Sequence, residues 1–556
     1  MISFTLNSEK VDYEGDETLS LLNYLRQIRG ITSVKDGCSG QAACGACMVE
    51  LDGKPALSCS IKMNKVNGKA VITIEGIPER ARLILARAFV AKGAVQCGFC
   101  TPGLLSRANI LLENNPNPSR EDVIKALNAN VCRCTGYVKI IDAILLAANT
   151  LKENSEIPWE KKTGIGYSTP KHEGYEKALG VSPFINDMNF KGMLYGALKF
   201  SDHPRARVLG IDVSAVEIIH GVIRIFTAKD IPGQRHQGLV EKDWPMMVEQ
   251  GEITRYIGDV LAGVVAETEE LARHAVESIV VEYEILEPLT ELAHAPESPI
   301  KVHEEGNLLK KTIIQRGYPV DQIFERSACI VEGHFETPFV DHAFLETEAS
   351  IALPDDHGEV IVYSQNQGIF SDRTQIASVL GISEDKVNVI QISSGGAFGG
   401  KEDLTVQHHA ALYSTILNRP VKVRLNRAES IRMHPKRHRT LMNYKLACDS
   451  KGLITALHAR ILGDTGAYAS VGGEVVARIG THAAGAYHIP NVDIEASAYY
   501  TNNIPAGAFR GFGVNQATFA MESMVDELCS MGGFDRWRFR YDNALDTGRM
   551  TSTGQV

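Results

Sequence analysis

Eight of the eleven cysteines lie within the first 134 residues, and they fall into two sets of four. The first set, in the segments GCSGQAACGAC and LSC, consists of Cys38, Cys44, Cys47 and Cys59. The second set, in the segments QCGFC and CRC, consists of Cys97, Cys100, Cys132 and Cys134. Iron in iron-sulfur clusters takes soft sulfur donors, and each cluster needs four of them. The two sets therefore predict two binuclear clusters and one-electron chemistry.

Zinc is the alternative metal for both sets of cysteines. The plant-type ferredoxin pattern has four residues between its first two ligands, whereas five separate Cys38 from Cys44. These five residues are small and should accommodate the longer loop. Zinc sites favour two close pairs, which the first set lacks. The second set could by itself bind zinc, but its position directly after the first set favours a second cluster.

The elements that position these thiols are predicted from periodicity and turn residues. The segments ISFTL, at residues 2–6, and VITIEGI, from Val71, are typical of strands, and residues 18–27 are typical of a helix, which together indicate a small α+β domain. From Glu79 onward, apolar residues recur at helical spacing in four successive segments. Cys97 and Cys100 then lie in the first turn between helices, and the other two cysteines of the second set lie in the third turn. Two turns at one end of a helical bundle can hold one cluster.

Length and charge exclude several classes of protein. A chain of 556 residues is too long for one core, because single cores stop growing near roughly 250–300 residues. A net charge of -10 and a pI near 6.0 argue against nucleic-acid binding. The one basic run, residues 432–439, is interpreted as a solvated loop, with an internal phosphate contact as the alternative. The sequence shows neither an apolar stretch of membrane-spanning length nor a secretory signal, and metal-binding thiols favour a reducing compartment, so we expect a cytoplasmic protein.

Four segments resemble signatures of the molybdenum hydroxylases, the family of xanthine dehydrogenases and aldehyde oxidoreductases: VQCGFCTPG, NVCRCTGY, GGAFGGKE and AFRGFG. The resemblance runs through the whole chain and implies a multidomain α+β protein. The implied units are a β-grasp 2Fe-2S ferredoxin domain (1–76), a four-helix 2Fe-2S domain (77–152), a linker (153–185), an α/β hammerhead domain (186–300) and the first part of a molybdopterin-binding domain (301–556).

The resemblance also implies residues that contact the molybdenum cofactor. Gln96 is similar to the glutamine that hydrogen-bonds the pterin, and Gln365 to the glutamine that approaches a molybdenum oxo ligand. Phe398 and Gly399 match positions that line the metal, and Arg510 matches a residue near the pterin. Without the resemblance, ordinary packing or turn formation would explain each of these residues.

Three residues bear on the substrate. Glu402, Arg478 and Phe512 occupy positions that in purine-oxidising relatives bind the two polar ends and one edge of a flat heterocycle, so Gln365, Glu402 and Arg478 are the candidate catalytic residues. A carboxylate and a guanidinium on either side of an aromatic slot can hydrogen-bond a purine and stabilise developing charge. The alternative is that Glu402 and Arg478 form a buried salt bridge with each other.

The function that the resemblance implies is hydroxylation of a purine of the xanthine or hypoxanthine type, with water as the oxygen source and electrons passing through two 2Fe-2S clusters to an external acceptor. An aldehyde or another N-heterocycle is the alternative substrate. A truncated electron-transfer module without molybdenum is the alternative of another class. The expected cofactors are the two clusters and molybdenum-molybdopterin, in the cytosine dinucleotide form.

Partners are expected for two reasons. The segment 153–185 is far shorter than the roughly 100 residues of a typical domain, so we expect no FAD in this chain and a separate flavin subunit or another acceptor. The glutamate that acts as general base in the family has no counterpart here, so we expect a truncated product or a split gene, with a further chain completing the molybdopterin domain. The complete enzyme is expected to be a homodimer that binds neither nucleic acid nor membrane.

Five further residues receive no role in the chemistry. Cys329, Cys448 and Cys529 stand alone in apolar or mixed surroundings, where a buried structural cysteine is the usual explanation. His408 and His409 are expected on a helix surface or in the core and are assigned no metal.

Overall fold

A computed structural model describes residues 1–157, 164–355 and 358–556 of the chain. Residues 158–163, which belong to the predicted linker, lie outside the described residues. Within the described ranges, no helix combines the length and the apolar character that crossing a membrane requires.

The first unit is a five-stranded mixed sheet with the strand order β2-β1-β5-β3-β4. Its elements are β1 (Ile2–Leu6), β2 (Glu9–Tyr13), α1 (Leu21–Asn23), β3 (Met48–Leu51), β4 (Lys54–Leu57) and β5 (Ala70–Ile72). Strand β1 runs antiparallel to β2 and parallel to β5, and its alternate residues Ile2, Phe4 and Leu6 are buried. The predicted helix begins at Leu21, after the side chain of Ser20 accepts a hydrogen bond from the backbone N–H of Asn23. A single π turn then continues it to Ile28.

The second unit contains the four predicted helices: α2 (Glu79–Ala91), α3 (Thr101–Asn114), α4 (Arg120–Ala126) and α5 (Val138–Lys152). Their apolar faces form one buried core. Helix α4 begins with a capping box between Ser119 and Asp122. The second thiol set lies in the predicted turns, between α2 and α3 and directly before α5.

After the undescribed residues, the chain packs on the helical unit before it enters the next domain. Helix α6 (Gly174–Ala178) contacts α2 and α3. A Cβ atom added to Gly98 would lie 2.7 Å from the Cβ of Lys177, and one added to Gly180 would lie 2.7 Å from the Cβ of Ser33. Residues 174–180 therefore contact both the first, five-stranded unit and the second, helical unit.

The next segment alternates strands with short helices. Its elements are β6 (Leu194–Phe200), β7 (Ala206–Asp212), α7 (Ser214–Glu217), β8 (Val222–Phe226), β9 (His236–Gln237), β10 (Trp244–Pro245), β11 (Ile253–Thr254), β12 (Val260–Ala266), α8 (Glu269–Glu277) and β13 (Val280–Ile285). A three-stranded sheet has the order β11-β7-β13, and β9 pairs with β10.

The remaining chain forms a larger α+β region. Its first elements are β14 (Leu308–Arg316), α9 (Val320–Phe324), β15 (Cys329–Thr337), β16 (Ala349–Pro354), β17 (Val360–Ser364), α10 (Ile369–Leu380), β18 (Val387–Gln391), α11 (Gln407–Leu417) and β19 (Val421–Arg424). The later elements are α12 (Arg427–Met433), β20 (Arg439–Cys448), β21 (Ile454–Gly466), α13 (Gly472–Thr481), β22 (Asn491–Tyr500), α14 (Val514–Gly532) and α15 (Arg536–Asn543). A five-stranded sheet has the order β14-β22-β21-β20-β15.

One seven-stranded sheet crosses the predicted boundary at residue 300. Its strand order is β18-β17-β16-β19-β6-β12-β8, and β19 pairs in parallel with β6 through Val421 and Leu194. Helix α11 packs on this sheet, and a Cβ atom added to Gly263 of β12 would lie 1.8 Å from the Tyr413 hydroxyl. The two regions are therefore built on one sheet, because strands distant in sequence share its hydrogen bonds.

The residues without an assigned role lie mainly in the core. His408 and His409 are buried in α11, as one of the two predicted locations. Cys448 and Cys529 are buried, which agrees with their predicted structural role, and Cys329 is partly exposed opposite Cys448 on neighbouring strands.

Candidate functional site

The four thiols of the first set converge, three from the loop before β3 and Cys59 from the turn after β4. Cys38 is hydrogen-bonded to Cys44 and Cys59, and Cys47 is hydrogen-bonded to Cys59. The neighbouring thiols, followed by backbone N–H groups such as that of Ala43, lower the pKa of Cys38. Three of the four thiols are buried and Cys59 is partly exposed. A thiolate in this set can therefore serve as a metal ligand.

The four thiols of the second set also converge. The Sγ atoms of Cys97 and Cys134 lie 3.5 Å apart, and Cys132 is hydrogen-bonded to Cys100 and Cys134. The Thr135 hydroxyl donates to the Cys132 sulfur at 3.1 Å. These bonds lower the pKa of Cys132, with Cys100 making the largest contribution. Free thiols in two closed sets of four fit two binuclear clusters.

The two thiol loops are joined by backbone hydrogen bonds. The N–H of Val131 donates to the carbonyl of Cys44 at 2.8 Å, and Val131 directly precedes Cys132. The Asn130 side chain donates to the carbonyl of Gly45 at 3.0 Å. Cys44, a predicted ligand of the first cluster, is therefore one hydrogen bond and one residue away from Cys132, a predicted ligand of the second.

Gly45 has a positive φ of 69°, and a Cβ atom there would lie 2.0 Å from the carbonyl oxygen of Ala129. We expect Gly45→Ala to lower the free energy of unfolding by about 3 kcal/mol, because it combines backbone strain with a steric overlap between the two loops. Thermal unfolding and iron content measure this effect. Gly40→Ala is the matched control, since Gly40 also has a positive φ, of 80°, but no atom lies within 4 Å of its added Cβ. Equal losses in the two variants would contradict the role of the loop contact.

The second thiol loop also contacts the larger α+β region. Arg133, between two ligand cysteines, donates to the carbonyl of His342 at 2.9 Å. Beyond this contact lies Lys401, whose side chain is 1% exposed. Its ammonium group donates to the Gln365 side chain at 2.6 Å and to the Glu346 carbonyl at 2.9 Å. Gln365, a predicted cofactor residue, is therefore held in place by a buried cation.

Sequence reasoning assigned no role to Lys401, although the motif GGKE contains it. Burial lowers its pKa, and the nearby Glu346 acts in the opposite direction. Burial raises the pKa of Glu346 to about 7, and its carboxylate accepts a hydrogen bond from the Gly395 N–H at 2.6 Å. Glu346 stands in no recognisable motif, so only the fold reveals it.

The basic run at residues 432–439 is not a solvated loop, and that interpretation is wrong. His434, Lys436 and His438 are buried. His434 pairs with Glu348 at 2.9 Å, and Lys436 pairs with Asp341 at 2.9 Å. Burial acts to raise the pKa of Glu348, but the pairing with His434 outweighs it and lowers that pKa to about 2. The basic run was misread because the acidic partners lie about 90 residues upstream in the sequence.

The two glycine-rich motifs lie against each other. Phe398 and Gly399 have positive φ values, and a Cβ atom on Gly399 would lie 2.8 Å from the carbonyl of Ala508. The N–H of Arg510 donates to the Phe398 carbonyl at 2.8 Å. The Nε2 atom of His342 donates a hydrogen bond to the Ala508 carbonyl at 2.8 Å. Close approach of these two backbones requires a glycine at position 399.

The predicted substrate residues lie on three segments that meet. Glu402 follows the first glycine-rich motif and is partly buried, which raises its pKa. Arg478 is exposed on α13, and Phe512 precedes Gly513, whose added Cβ would lie 2.6 Å from the carbonyl of Val475 in the same helix. Among the described residues, Glu402 and Arg478 form no ion pair, so the predicted alternative of a buried salt bridge is wrong. Arg478 remains free to bind a ligand.

Gln96 was predicted to contact the pterin. It is exposed, immediately before Cys97. Its amide group is therefore accessible to the predicted partner.

A buried carboxylic acid supports the strand end that carries Gln365. Asp372 accepts hydrogen bonds from Ser364 at 2.8 Å and from the Asn366 side chain at 3.1 Å. Burial raises its pKa from 3.8 to about 7. The folded protein thus keeps this proton up to about pH 7, whereas the unfolded chain releases it near pH 4. The contribution of Asp372 to the free energy of unfolding is therefore complete below about pH 4 and is lost as the pH rises to about 7.

We expect Asp372→Asn to raise the thermal midpoint at pH 8.5 relative to the parent protein and to change it little at pH 4. The asparagine stays neutral, so the variant avoids a cost of up to about 4 kcal/mol for ionising a buried acid. Thermal unfolding at both pH values measures the difference. Asp385→Asn is the control, because Asp385 is exposed nearby and should give no gain. A gain for Asp372→Asn that is equal at both pH values would contradict a protonated Asp372.

Four protein families match successive parts of the chain. They are described as the 2Fe-2S iron-sulfur cluster binding domain (residues 4–67), the 2Fe-2S binding domain (73–145), the aldehyde oxidase and xanthine dehydrogenase a/b hammerhead domain (180–287) and the molybdopterin cofactor-binding domain (302–544).

Known proteins resemble the chain over different lengths. A probable xanthine dehydrogenase subunit from Bacillus subtilis is 39% identical over 68% of the chain and 50% of its own length. A nicotinate dehydrogenase large molybdopterin subunit of Eubacterium barkeri is 36% identical over 70% of the chain and 92% of its own length. The solved aldehyde oxidoreductase of Desulfovibrio gigas superposes with a TM-score of 0.94 at 31% identity, over 100% of this chain and 64% of its own. The chain thus spans half of the first relative and less than two thirds of the solved enzyme.

Proposed function

The chain belongs to the molybdenum hydroxylase family of xanthine dehydrogenases and aldehyde oxidoreductases, and on this basis we propose that it contributes the electron-transfer and substrate-binding part of a purine hydroxylase. The observation that carries the proposal is that the segments bearing the three predicted substrate residues contact one another, through Gly399 and Ala508 and through Gly513 and Val475. Purine of the xanthine or hypoxanthine type is the proposed substrate class, and water is the proposed source of oxygen.

The region around Gln365 fits a polar cofactor. Buried side-chain atoms there have no hydrogen-bond partner among the described residues, including Thr347 Oγ1, Glu346 Oε1 and Thr405 Oγ1. Unmet buried polar groups are costly unless a further molecule satisfies them. The molybdenum-molybdopterin group supplies two-electron redox chemistry when it is bound, and the proposed residues that would hold it are Gln96, Gln365, Phe398, Gly399 and Arg510. The cytosine dinucleotide form is part of the proposal.

The chain's own residues orient the substrate. Arg478 would hold one polar end of the heterocycle and stabilise negative charge that develops on it. Glu402, whose pKa burial raises, would bind the opposite end and can hold or release a proton close to its carboxylate. Phe512 would pack against the ring edge. Lys401 holds the Gln365 amide in one orientation, because its ammonium group donates a hydrogen bond to the amide oxygen.

The two thiol sets would hold 2Fe-2S clusters that carry electrons one at a time. The second set lies beside Glu346 and Lys401 in the larger region, and among the described residues no such neighbours act on the first set, which lies in the ferredoxin-like unit. This arrangement supports electron flow from the larger region through the helical unit to the ferredoxin-like unit and then to an external acceptor, for which a flavin subunit is our proposal.

Aldehyde oxidation is the second candidate, because the aldehyde oxidoreductase superposes over the entire chain with a TM-score of 0.94. A partner polypeptide is also proposed, since the nicotinate dehydrogenase relative matched over 92% of its length is by name one subunit of an enzyme. We further propose a cytoplasmic homodimer for the assembled enzyme.

The test is purification of the protein with its natural partners, followed by metal analysis and activity assays with xanthine, hypoxanthine, nicotinate and an aromatic aldehyde. Molybdenum together with about four irons per chain and preferred oxidation of a purine would support the proposal. Preferred oxidation of the aldehyde would replace it with the second candidate. About four irons without molybdenum would favour a module that only transfers electrons.

A further inference from the structure

Arg427, the first residue of α12, binds the loop of the first thiol set. Its Nη2 atom lies 2.8 Å from the carbonyl oxygen of Gly37, 2.7 Å from that of Phe344 and 2.7 Å from that of Leu345. Its backbone N–H donates to the Ser39 hydroxyl at 2.9 Å. Arg427 therefore connects both residues that flank Cys38 with the larger α+β region, Gly37 through its guanidinium and Ser39 through its backbone N–H.

The charge of Arg427 has no carboxylate in contact with it among the residues that the structure describes. The three side-chain acceptors are neutral carbonyls. The nearest acidic groups are already paired, Glu348 with His434 and Asp341 with Lys436. Arg427 is partly buried, and a cation that has lost solvent without gaining a paired anion needs a counter-charge elsewhere.

The thiolates of the first set add to the counter-charge that the more distant carboxylates of Glu348 and Asp341 supply. Gly37, whose carbonyl Arg427 binds, directly precedes Cys38, and a Cβ atom on Gly37 would lie 3.3 Å from the Cys44 sulfur. Among the charges that act on Arg427, Glu348 and Asp341 come first, and the thiolates of Cys44 and Cys38 follow. A cluster held by four thiolates carries negative charge, which increases by one on reduction, so a fixed nearby cation favours the reduced form.

From this geometry we propose that Arg427 is a positioning residue that raises the reduction potential of the cluster held by Cys38, Cys44, Cys47 and Cys59. The inference rests on the proposed function, since it requires that cluster. The inference predicts the direction in which the reduction potential changes. The cation stabilises an electron on the ferredoxin-like cluster, which is the last cluster of the proposed electron path.

Arg424 provides a matched control three residues away. It also reaches the first thiol loop, through an ion pair with Asp36 at 3.0 Å, and it lies 3.9 Å from Glu269. Its charge is therefore neutralised by direct partners. Removing Arg424 should disturb the docking of the loop. The positive charge that is lost, however, is one that Asp36 and Glu269 already neutralise.

The experiment is a redox titration of the purified iron-loaded protein, monitored by low-temperature electron paramagnetic resonance, in which the two clusters give separate signals. For Arg427→Gln we expect the equilibrium constant for reduction of the ferredoxin-like cluster to fall about tenfold, which lowers its reduction potential by about 59 mV for one electron. The equilibrium constant for reduction of the other cluster should change less than about threefold. Arg427→Lys should stay close to the parent at neutral pH, and Arg424→Gln should shift the potential less than Arg427→Gln.

The lysine variant guards against loss of the cluster in Arg427→Gln. At alkaline pH the partly buried lysine should lose its proton, so the potential of Arg427→Lys should fall with rising pH more steeply than that of the parent. An unchanged potential in Arg427→Gln with full iron content, or equal shifts of both clusters, would overturn the inference and leave the proposed function intact. A parent protein that binds no iron would overturn both.

Discussion

Cys132→Ser is expected to remove one of two clusters and to stop electron delivery to the external acceptor. Cys132 is hydrogen-bonded to two other thiols of its set, so its replacement leaves three of the four sulfur ligands that the cluster needs. Iron should fall from about four to about two per chain, because each binuclear cluster contains two irons. One of two paramagnetic signals should disappear on reduction, and turnover with the acceptor should fall to background.

Cys329→Ser is the control for this experiment, since Cys329 is a partly exposed cysteine far from both thiol sets in the sequence. It should retain about four irons and both signals. If Cys132→Ser also retained about four irons, the assignment of the second set would be wrong. Replacement of iron by two equivalents of zinc in the parent protein would contradict both cluster assignments.

Arg478→Ala, assayed in the complete enzyme, is expected to lower kcat/KM for a purine by about 10²–10³. The reason is that a guanidinium placed against developing negative charge contributes about 3–4 kcal/mol to transition-state stabilisation. The rate with an aldehyde substrate, which lacks the second polar end, should change less than about tenfold. Steady-state kinetics with both substrates measures the difference, and Arg478→Lys should recover part of the purine activity.

Glu474→Ala provides a matched control on the same helix. Glu474 is exposed on α13 and pairs with Lys310 at 2.6 Å, an exposed ion pair that contributes little to stability. This variant should leave the kinetics with either substrate unchanged. Unchanged purine turnover in Arg478→Ala would defeat the purine assignment and favour the aldehyde.

The helical 2Fe-2S unit was predicted almost completely from the sequence. The periodicity predicted four helices, and the structure places Cys97 and Cys132 in the expected turns. The spacing of Ser119 and Asp122 predicts a capping box, which the structure confirms. Thr101, followed by Pro102, is typical of an N-cap, but the N-cap of α3 is Cys100, which is held within the thiol set. The prediction of this boundary failed by one residue because the contacts of Cys100 are not visible in the local pattern.

Several contacts in and around the candidate site could not be predicted. The carbonyls that Arg427 binds belong to residues 390, 83 and 82 positions away in the sequence. Lys401 and Gln365 are 36 residues apart, and the basic run is neutralised by acids in another segment. Buried charges are tolerated only when the fold supplies their partners, and no local motif records which partners it will supply.

Ligand spacing, periodicity and caps act over short stretches of chain. For that reason the two sets of four thiols, the helices and strands that place them, the glycine-rich motifs and the family resemblance could all be predicted from the sequence. The tertiary structure alone decided that the two thiol loops are joined through Val131 and Cys44, that one seven-stranded sheet unites two predicted domains, and that Arg427 lies beside the first set. Each of these depends on segments that meet only when distant strands and loops bury their apolar surfaces together.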